Sequence, residues 1–199
     1  MNTPENNYYA ITRSGTLHKA ADLNDALLFA GDDGYVWSDY IDPSAESLAE
    51  LNTSLGIHPL SIEDCLNGDQ LPKLDLFPTY SFMSFSMFEQ TPDGLRAHEL
   101  DLIISKNFII TVSDRELNGN PVLASMGASI ERDMDTIRLG PSYLLHRVVD
   151  MVVDRKLMAV ESIEEKLDGD EDAILKDAAS YNLGSLMDSR RDLQVIRKS

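Results

Sequence analysis

Tyr80-Ser-Phe-Met-Ser-Phe-Ser-Met-Phe88 interleaves large apolar side chains with serines, in the two-residue rhythm of a half-buried or central strand. Thr91-Pro-Asp-Gly94 follows as a hairpin turn, and Leu95 to Ile104 and Phe108 to Ser113 continue the pattern across a tight turn at Lys106-Asn107. Three strands in antiparallel sequence decide that the fold is built on a sheet.

Working back towards the N-terminus, Lys73 to Leu76 is a short strand before Pro78, and Tyr35 to Ile41 is another behind the Gly31-Asp-Asp-Gly34 turn. Tyr8 to Thr12 and Leu17 to Lys19 flank a turn at Ser14-Gly15. Helices separate them. Asp22 caps a run through Leu27, Leu28 and Phe29, and Asp42 with Pro43 opens a second helix whose face is Leu48, Leu51 and Leu55, closed by Gly56. His58-Pro59 starts a third, which Leu60, Ile62 and Leu66 are expected to seat on the sheet before Asn67-Gly68 ends it. The class is mixed α/β.

Beyond Asn120 every long pattern is helical. Pro121 to about Leu139 is expected as one helix, Gly140 as a break, and Pro141 to about Leu167 as the next, with Leu145, Val148, Val149, Val152, Val153, Val160, Ile163 and Leu167 on one apolar face. Asp168-Gly-Asp-Glu-Asp172 is expected as a link, without the ligand spacing of an EF-hand, before a last helix from about Glu171 to Lys198. No stop signal precedes Ser199, which reads as the cut end of a longer sequence. The organisation expected is a domain over residues 1–140 and a long helical pair over 141–199.

Charge narrows the function. Thirty-four acidic residues against 17 Lys and Arg give a formal charge of -17, a field that repels phosphate backbones and disfavours nucleic acid. Divalent cations or basic partners fit it better. The sole cysteine, Cys65, excludes an intrachain disulfide or a thiolate cluster, and reads as a buried structural thiol because Glu63 and Asp64 beside it oppose a thiolate. His18, His58, His98 and His146 never recur at i,i+4, and no phosphate loop or nucleophile elbow occurs. His58 with Glu63 and Asp64 is the one acid/base set an enzyme could use; a histidine that shapes the turn beside Pro59 is the plainer reading. No 18-residue apolar run or signal peptide is present.

Asp150, Asp154, Glu161, Glu165 and Asp168 gather on one stripe of the 141–167 helix. A solvated face explains them best, yet like charges at this spacing also attract weak divalent screening, with Asp150 and Asp154 as the candidates.

Gly56-Ile-His-Pro-Leu-Ser-Ile-Glu-Asp64 resembles the signature of the cytoplasmic domain of CorA-type magnesium and cobalt transporters. Leu71-Pro-Lys-Leu-Asp75, Tyr80-Ser-Phe82, Val36-Trp-Ser-Asp39, Leu102 to Val112, Pro141 to Asp154 and Lys176 to Lys198 are similar to further family elements, in the family's order. The resemblance implies a mixed-sheet αβα sandwich followed by long C-terminal helices, the last of which starts a stalk leading to two membrane spans. Neither span nor the family's Gly-Met-Asn motif occurs in residues 1–199. By this resemblance the chain is a cytoplasmic regulatory domain, not an enzyme, of a protein in the inner or plasma membrane that assembles as a homopentamer. The fragment alone is expected to be monomeric or dimeric.

Regulatory Mg2+ between neighbouring copies is also implied by the resemblance. One family ligand is an acidic residue just after the aromatic strand, which Glu89 and Asp93 match, and its partner lies on a neighbour's stalk. Half a site of this kind binds Mg2+ weakly. A related zinc transporter domain and a soluble adaptor of the same fold are the alternatives.

Overall fold

The computed structural model describes residues 4–68 and 71–198. Seven strands form one sheet in the order β2-β1-β3-β7-β6-β5-β4. These are β1 (Glu5–Ile11), β2 (Leu17–Ala20), β3 (Tyr35–Ile41), β4 (Lys73–Leu76), β5 (Ser81–Thr91), β6 (Gly94–Ile104) and β7 (Phe108–Ser113). All neighbours are antiparallel except β3 and β7, which run parallel at the centre. Every residue of these two central strands is buried, as expected of strands covered on both faces.

One face carries α1 (Leu23–Ala30), α2 (Ala45–Leu55) and α3 (Pro59–Leu66). Their Leu23, Ala26, Leu48 and Leu51 pack with Val36, Tyr40, Phe82, Ile103 and Ile110 of the sheet. The other face carries α4 (Met126–Arg132), α5 (Met134–Ile137) and the 37-residue α6 (Pro141–Asp177) over Trp37, Leu100, Leu102 and Ile109. Two helical layers thus enclose one mixed sheet, the αβα sandwich expected. A smaller cluster joins Phe88 and Leu95 of the β5–β6 hairpin to Ala159 and Ile163 of α6, with Val195 and Ile196 of α7 (Gly184–Arg197) against it. No helix among the described residues is long and apolar enough to cross a membrane.

Local chemistry sets the helix starts. Asp22 caps α1 through the Asp25 N–H at 2.8 Å. The cap of α2 is Ser44 rather than Asp42: Ser44 and Ser47 form a reciprocal capping box. Asp42 instead takes a left-handed φ of 49°, its carboxylate 3.2 Å from Arg115 Nε. His58 does shape the start of α3, its Nδ1 accepting the Leu60 N–H at 3.2 Å.

Four further helical expectations are corrected. Leu60 and Leu66 do not seat α3; they are exposed, while Ser61 is buried and Ile62 and Cys65 meet the core. The orientation is set by Tyr80, whose hydroxyl lies 2.9 Å from Ser61 Oγ and accepts the His58 N–H. Residues 121–139 are not one helix. Pro121 bridges to Arg115, and Val122 and Leu123 sink into the core from a turn, so the chain becomes helical only at Met126.

The third correction is that α6 passes unbroken through Gly169 to Asp177. A helical glycine costs about 1 kcal/mol relative to alanine, which the flanking good helix formers outweigh. The break falls at residues 178–183, where Asp177 accepts from Ser180 Oγ at 2.8 Å and from the Ala179 N–H at 3.1 Å. The last concerns the apolar face of α6. Its buried positions are Leu144, Val148, Val152, Ala159 and Ile163, whereas Val153, Val160 and Leu167 join Leu157 as an uncovered apolar row.

Candidate functional site

The β5–β6 hairpin places two of the four predicted ligands. Glu89 lies on β5 opposite Arg96 of β6, and Asp93 stands exposed in the turn that closes at Gly94. Glu89 is already engaged. Its carboxylate accepts the Leu117 N–H at 3.0 and 3.1 Å and meets His98 Nε2 at 2.9 Å. His98 is buried, and its Nδ1 contacts Asp114 Oδ1 at 2.7 Å.

A histidine with a carboxylate at each ring nitrogen favours the imidazolium. Burial opposes the charge, but the bonds to Asp114 and Glu89 win and raise the His98 pKa. For Glu89, burial likewise works towards the neutral form, and the Leu117 N–H with His98 overcomes it to hold the carboxyl below its ordinary range. The product is a clamp joining β5, β6 and the segment after β7.

α7 secures the turn from the other side. Asp192, fully buried, accepts the Leu95 N–H at 2.8 Å through Oδ1 and receives Lys166 Nζ at 2.9 Å on Oδ2. Arg191 donates to the Asp93 carbonyl at 2.7 Å. A cleft of about 730 Å³ opens here, with Asp93, Arg96 and His98 from the hairpin together with Val195 of α7 and Lys198 just after it.

Asp150 and Asp154 lie elsewhere, on the exposed side of α6. They share a groove of about 390 Å³ with Arg132 and Arg147, and Asp150 pairs with Arg147 at 3.3 Å. Their charge is therefore partly matched by arginine. Among the described residues, no three His, Cys, Asp or Glu side chains converge to hold a metal ion.

The remaining candidates are structural. Asp64 receives Lys73 Nζ at 2.6 Å and His58 is used as the α3 cap, so the two are committed separately rather than as an acid/base set. Trp37 is core, as expected, and donates through Nε1 to Thr111 at 3.0 Å; Thr111 in turn donates to buried Asp39 at 2.6 Å. Cys65 packs against the core, where burial pushes its thiol up and leaves it unreactive.

A profile of the family described as CorA-like Mg2+ transporter protein matches residues 32–199. The chain belongs to the CorA-like Mg2+ transporter family. The cobalt/magnesium transport protein CorA of Thermotoga maritima is 28% identical over 147 residues, spanning 72% of this chain and 41% of that protein. Among solved structures, full-length CmaX superposes with a TM-score of 0.75 at 18% identity, covering 96% of this chain and 58% of that one. The complete CorA magnesium transporter of Methanocaldococcus jannaschii gives 0.70 at 16% identity, with 96% and 58% covered. At such identities these structures speak for the fold. The chain spans about half or less of the length of the curated relatives it matches.

In this CorA-like chain the four acidic candidates differ in readiness for Mg2+. Asp93 and Asp154 present exposed carboxylates, whereas Glu89 and Asp150 are engaged by His98 and Arg147. Mg2+ keeps most of its water and takes one or two carboxylates directly, which is the most that either place offers. His98, Asp101 and Asp192 were not singled out from sequence. The signal available was polarity where strand alternation demands burial: on β6 His98 shares a face with Leu100 and Leu102, and Asp101 shares the opposite face with Ile103.

Proposed function

We propose that this chain is the cytoplasmic divalent-cation-sensing domain of a magnesium or cobalt transporter or channel. The observation that carries the reading is the family match over residues 32–199, on a sandwich continued by the 37-residue α6. Residues 1–140 hold the sensing fold and residues 141–199 begin the stalk. The full protein works in the inner or plasma membrane as a homopentamer, with this domain on the cytoplasmic side. The exposed row Val153, Leu157, Val160 and Leu167 on α6 supports assembly, because an apolar stripe of this kind is ordinarily covered by a partner.

Regulatory Mg2+ draws on Glu89 and Asp93 first and on Asp150 and Asp154 second. Carboxylates of neighbouring copies repel until a hard cation bridges them, so occupancy biases the equilibrium between two arrangements. The isolated domain, a monomer or dimer, binds the ion weakly because half a site cannot enclose it.

The test is magnesium-dependent protection from proteolysis, measured on the isolated domain and on an assembly extended through the stalk and membrane helices. A saturable effect in the assembly, reduced by Glu89→Gln and Asp93→Asn together, is expected. Absence of any saturable effect refutes the sensing role; an effect indifferent to those substitutions refutes the residue assignment.

A further inference from the structure

Among the described residues β4 is the last strand of the sheet, paired on its β5 side alone. Lys73 stands opposite Ser84 and Asp75 opposite Phe82, and the Phe77 N–H continues the ladder onto the Tyr80 carbonyl. Hydrogen bonding alternates along an antiparallel strand, so the odd-numbered residues bond to β5. The backbone N–H and C=O of Leu74 and Leu76, with the C=O of Pro72, therefore point away from the sheet. Leu71, Leu74 and Leu76 are 68%, 60% and 76% exposed. An open edge lined with leucines is a template for another strand.

The sequence of the edge selects that strand. Leu71-Pro-Lys-Leu-Asp-Leu-Phe77 is complementary to its own reverse. Turned antiparallel about Leu74, a second copy sets Leu74 against Leu74, Lys73 against Asp75, Pro72 against Leu76 and Leu71 against Phe77. The two Leu74 residues exchange both backbone bonds, and each Leu76 N–H reaches a Pro72 C=O; Pro72, which has no N–H, serves only as an acceptor. Lys73 and Asp75 then fall in the non-hydrogen-bonded position, where facing Cα atoms are about 4.5 Å apart and side chains approach most closely.

Neighbouring registers fail. Centred on Lys73 or on Asp75, the pairing sets like charges directly opposite, and centred on Leu76 it sets Asp75 against Phe77. A lysine on an edge strand ordinarily deters pairing. Within one chain Lys73 already lies 2.6 Å from Asp64 and 3.6 Å from Asp75, whose side chain is half exposed. The reversed strand brings a further carboxylate to the same ammonium, so the guard becomes a contact.

We infer that two copies of this chain associate through β4, antiparallel and centred on Leu74, so that their sheets become one continuous sheet. The interface is isologous and closes on itself as a dimer. It uses neither a divalent cation nor the apolar row of α6, and so stands apart from the function proposed above. A contact this short belongs to the weak, transient class, so the dimer forms at high protein concentration and dissociates on dilution.

Sedimentation of the 199-residue chain with EDTA present tests it, at about 0.15 M salt, where repulsion between distant charges is screened. A monomer–dimer equilibrium is expected. Leu74→Pro removes an outward N–H without touching the β5 ladder and should weaken dimerisation about tenfold or more with the circular dichroism spectrum unchanged. Lys73→Glu and Asp75→Lys should each weaken it similarly by setting like charges opposite. Mixed in equal amounts, those two variants should recover it as a heterodimer, since the introduced glutamate then faces the introduced lysine. If Leu74→Pro unfolds, the charge variants decide alone. A chain that stays monomeric to about 1 mM, a dimer retained in folded Leu74→Pro, a mixture no more associated than either charge variant, or a dimer lost on Leu157→Lys instead overturns the inference.

Discussion

Replacing Asp192 with alanine removes the side chain that ties α7 to both the sheet and α6. Its two bonds differ in kind. The Leu95 N–H at 2.8 Å is buried, with Leu95 itself 8% exposed, and is left without its acceptor by the substitution. An orphaned buried donor costs about 1–3 kcal/mol. Lys166 at 2.9 Å is 37% exposed and rehydrates, so its share falls towards that of a surface pair, under about 1 kcal/mol. The two together place Asp192→Ala about 2–3 kcal/mol below wild type. Asp192→Asn keeps an acceptor for Leu95 and loses only the charge, at about 1 kcal/mol.

Urea unfolding followed by circular dichroism gives the global value, and hydrogen exchange at the Leu95 amide reports the bond itself. Gly94 offers an independent route to the same contact. Its φ is 116° and a Cβ there would stand 2.7 Å from Asp192 Oδ1, so Gly94→Ala should expose the Leu95 amide as well. An Asp192→Ala variant within about 0.5 kcal/mol of wild type, with Leu95 still protected, refutes the reasoning.

Three further outcomes are expected. Leu60→Ala should change stability by less than about 0.5 kcal/mol, since Leu60 is 60% exposed, while Leu48→Ala, at 0% exposure, should cost about 2–5 kcal/mol; equal effects by urea unfolding would contradict the orientation of the first helical layer. Ser44→Ala should cost about 1 kcal/mol through loss of the capping box, and Thr at the same position should restore most of it. Stability should be greatest in mildly acidic solution. His98 is raised, so its contribution is complete below the ordinary histidine pKa and is lost as pH rises through the folded value. Burial raises Asp39 to about 6 and Asp101 to about 7, so the folded state binds their protons more tightly and stability falls as pH climbs towards those values. Glu89 is lowered and its contribution is lost on acidification through its folded pKa, which sets the acid limb. A melting temperature higher at pH 8 than at pH 5.5 to 6, these being about the range the shifts define, would overturn the assignment.

The sheet was legible because its signals are local. Alternation marks Tyr80 to Phe88, turn chemistry marks Thr91 to Gly94 and Lys106-Asn107, and the strands fall beside those turns. Helix starts at Asp22 and His58 were legible for the same reason, with the capping atom within three residues of the amide it satisfies. Periodicity misled where tertiary contacts decide. Val122 and Leu123 serve the core from a turn as well as they would from a helix, and Leu60 yields its place because Tyr80, twenty residues on, turns α3 towards Ser61. Likewise the site residues depend on long separations. His98 meets Asp114 across 16 residues and Asp192 meets Leu95 across 97, distances over which spacing carries no information.

Those long-range bonds give the acidic turn a mechanical meaning. The Asp93 carbonyl is held by Arg191 and the Leu95 amide by Asp192, both on α7, while Glu89 at the base is held through His98 to Asp114. Phe88 and Leu95 also rest on Ala159 and Ile163, midway along α6. At 1.5 Å per residue α6 is about 55 Å long, and its N-terminal half is fixed in the main core by Leu144, Val148 and Val152. The turn is therefore fastened to both long helices and to the sheet. On the proposed assignment a cation arriving at Asp93 would meet a tip that moves only if α7 moves with it or if the Arg191 and Asp192 bonds break. Binding at the tip and the seating of α7 thus share one free energy, and a ligand that favours one seating is favoured by it in return.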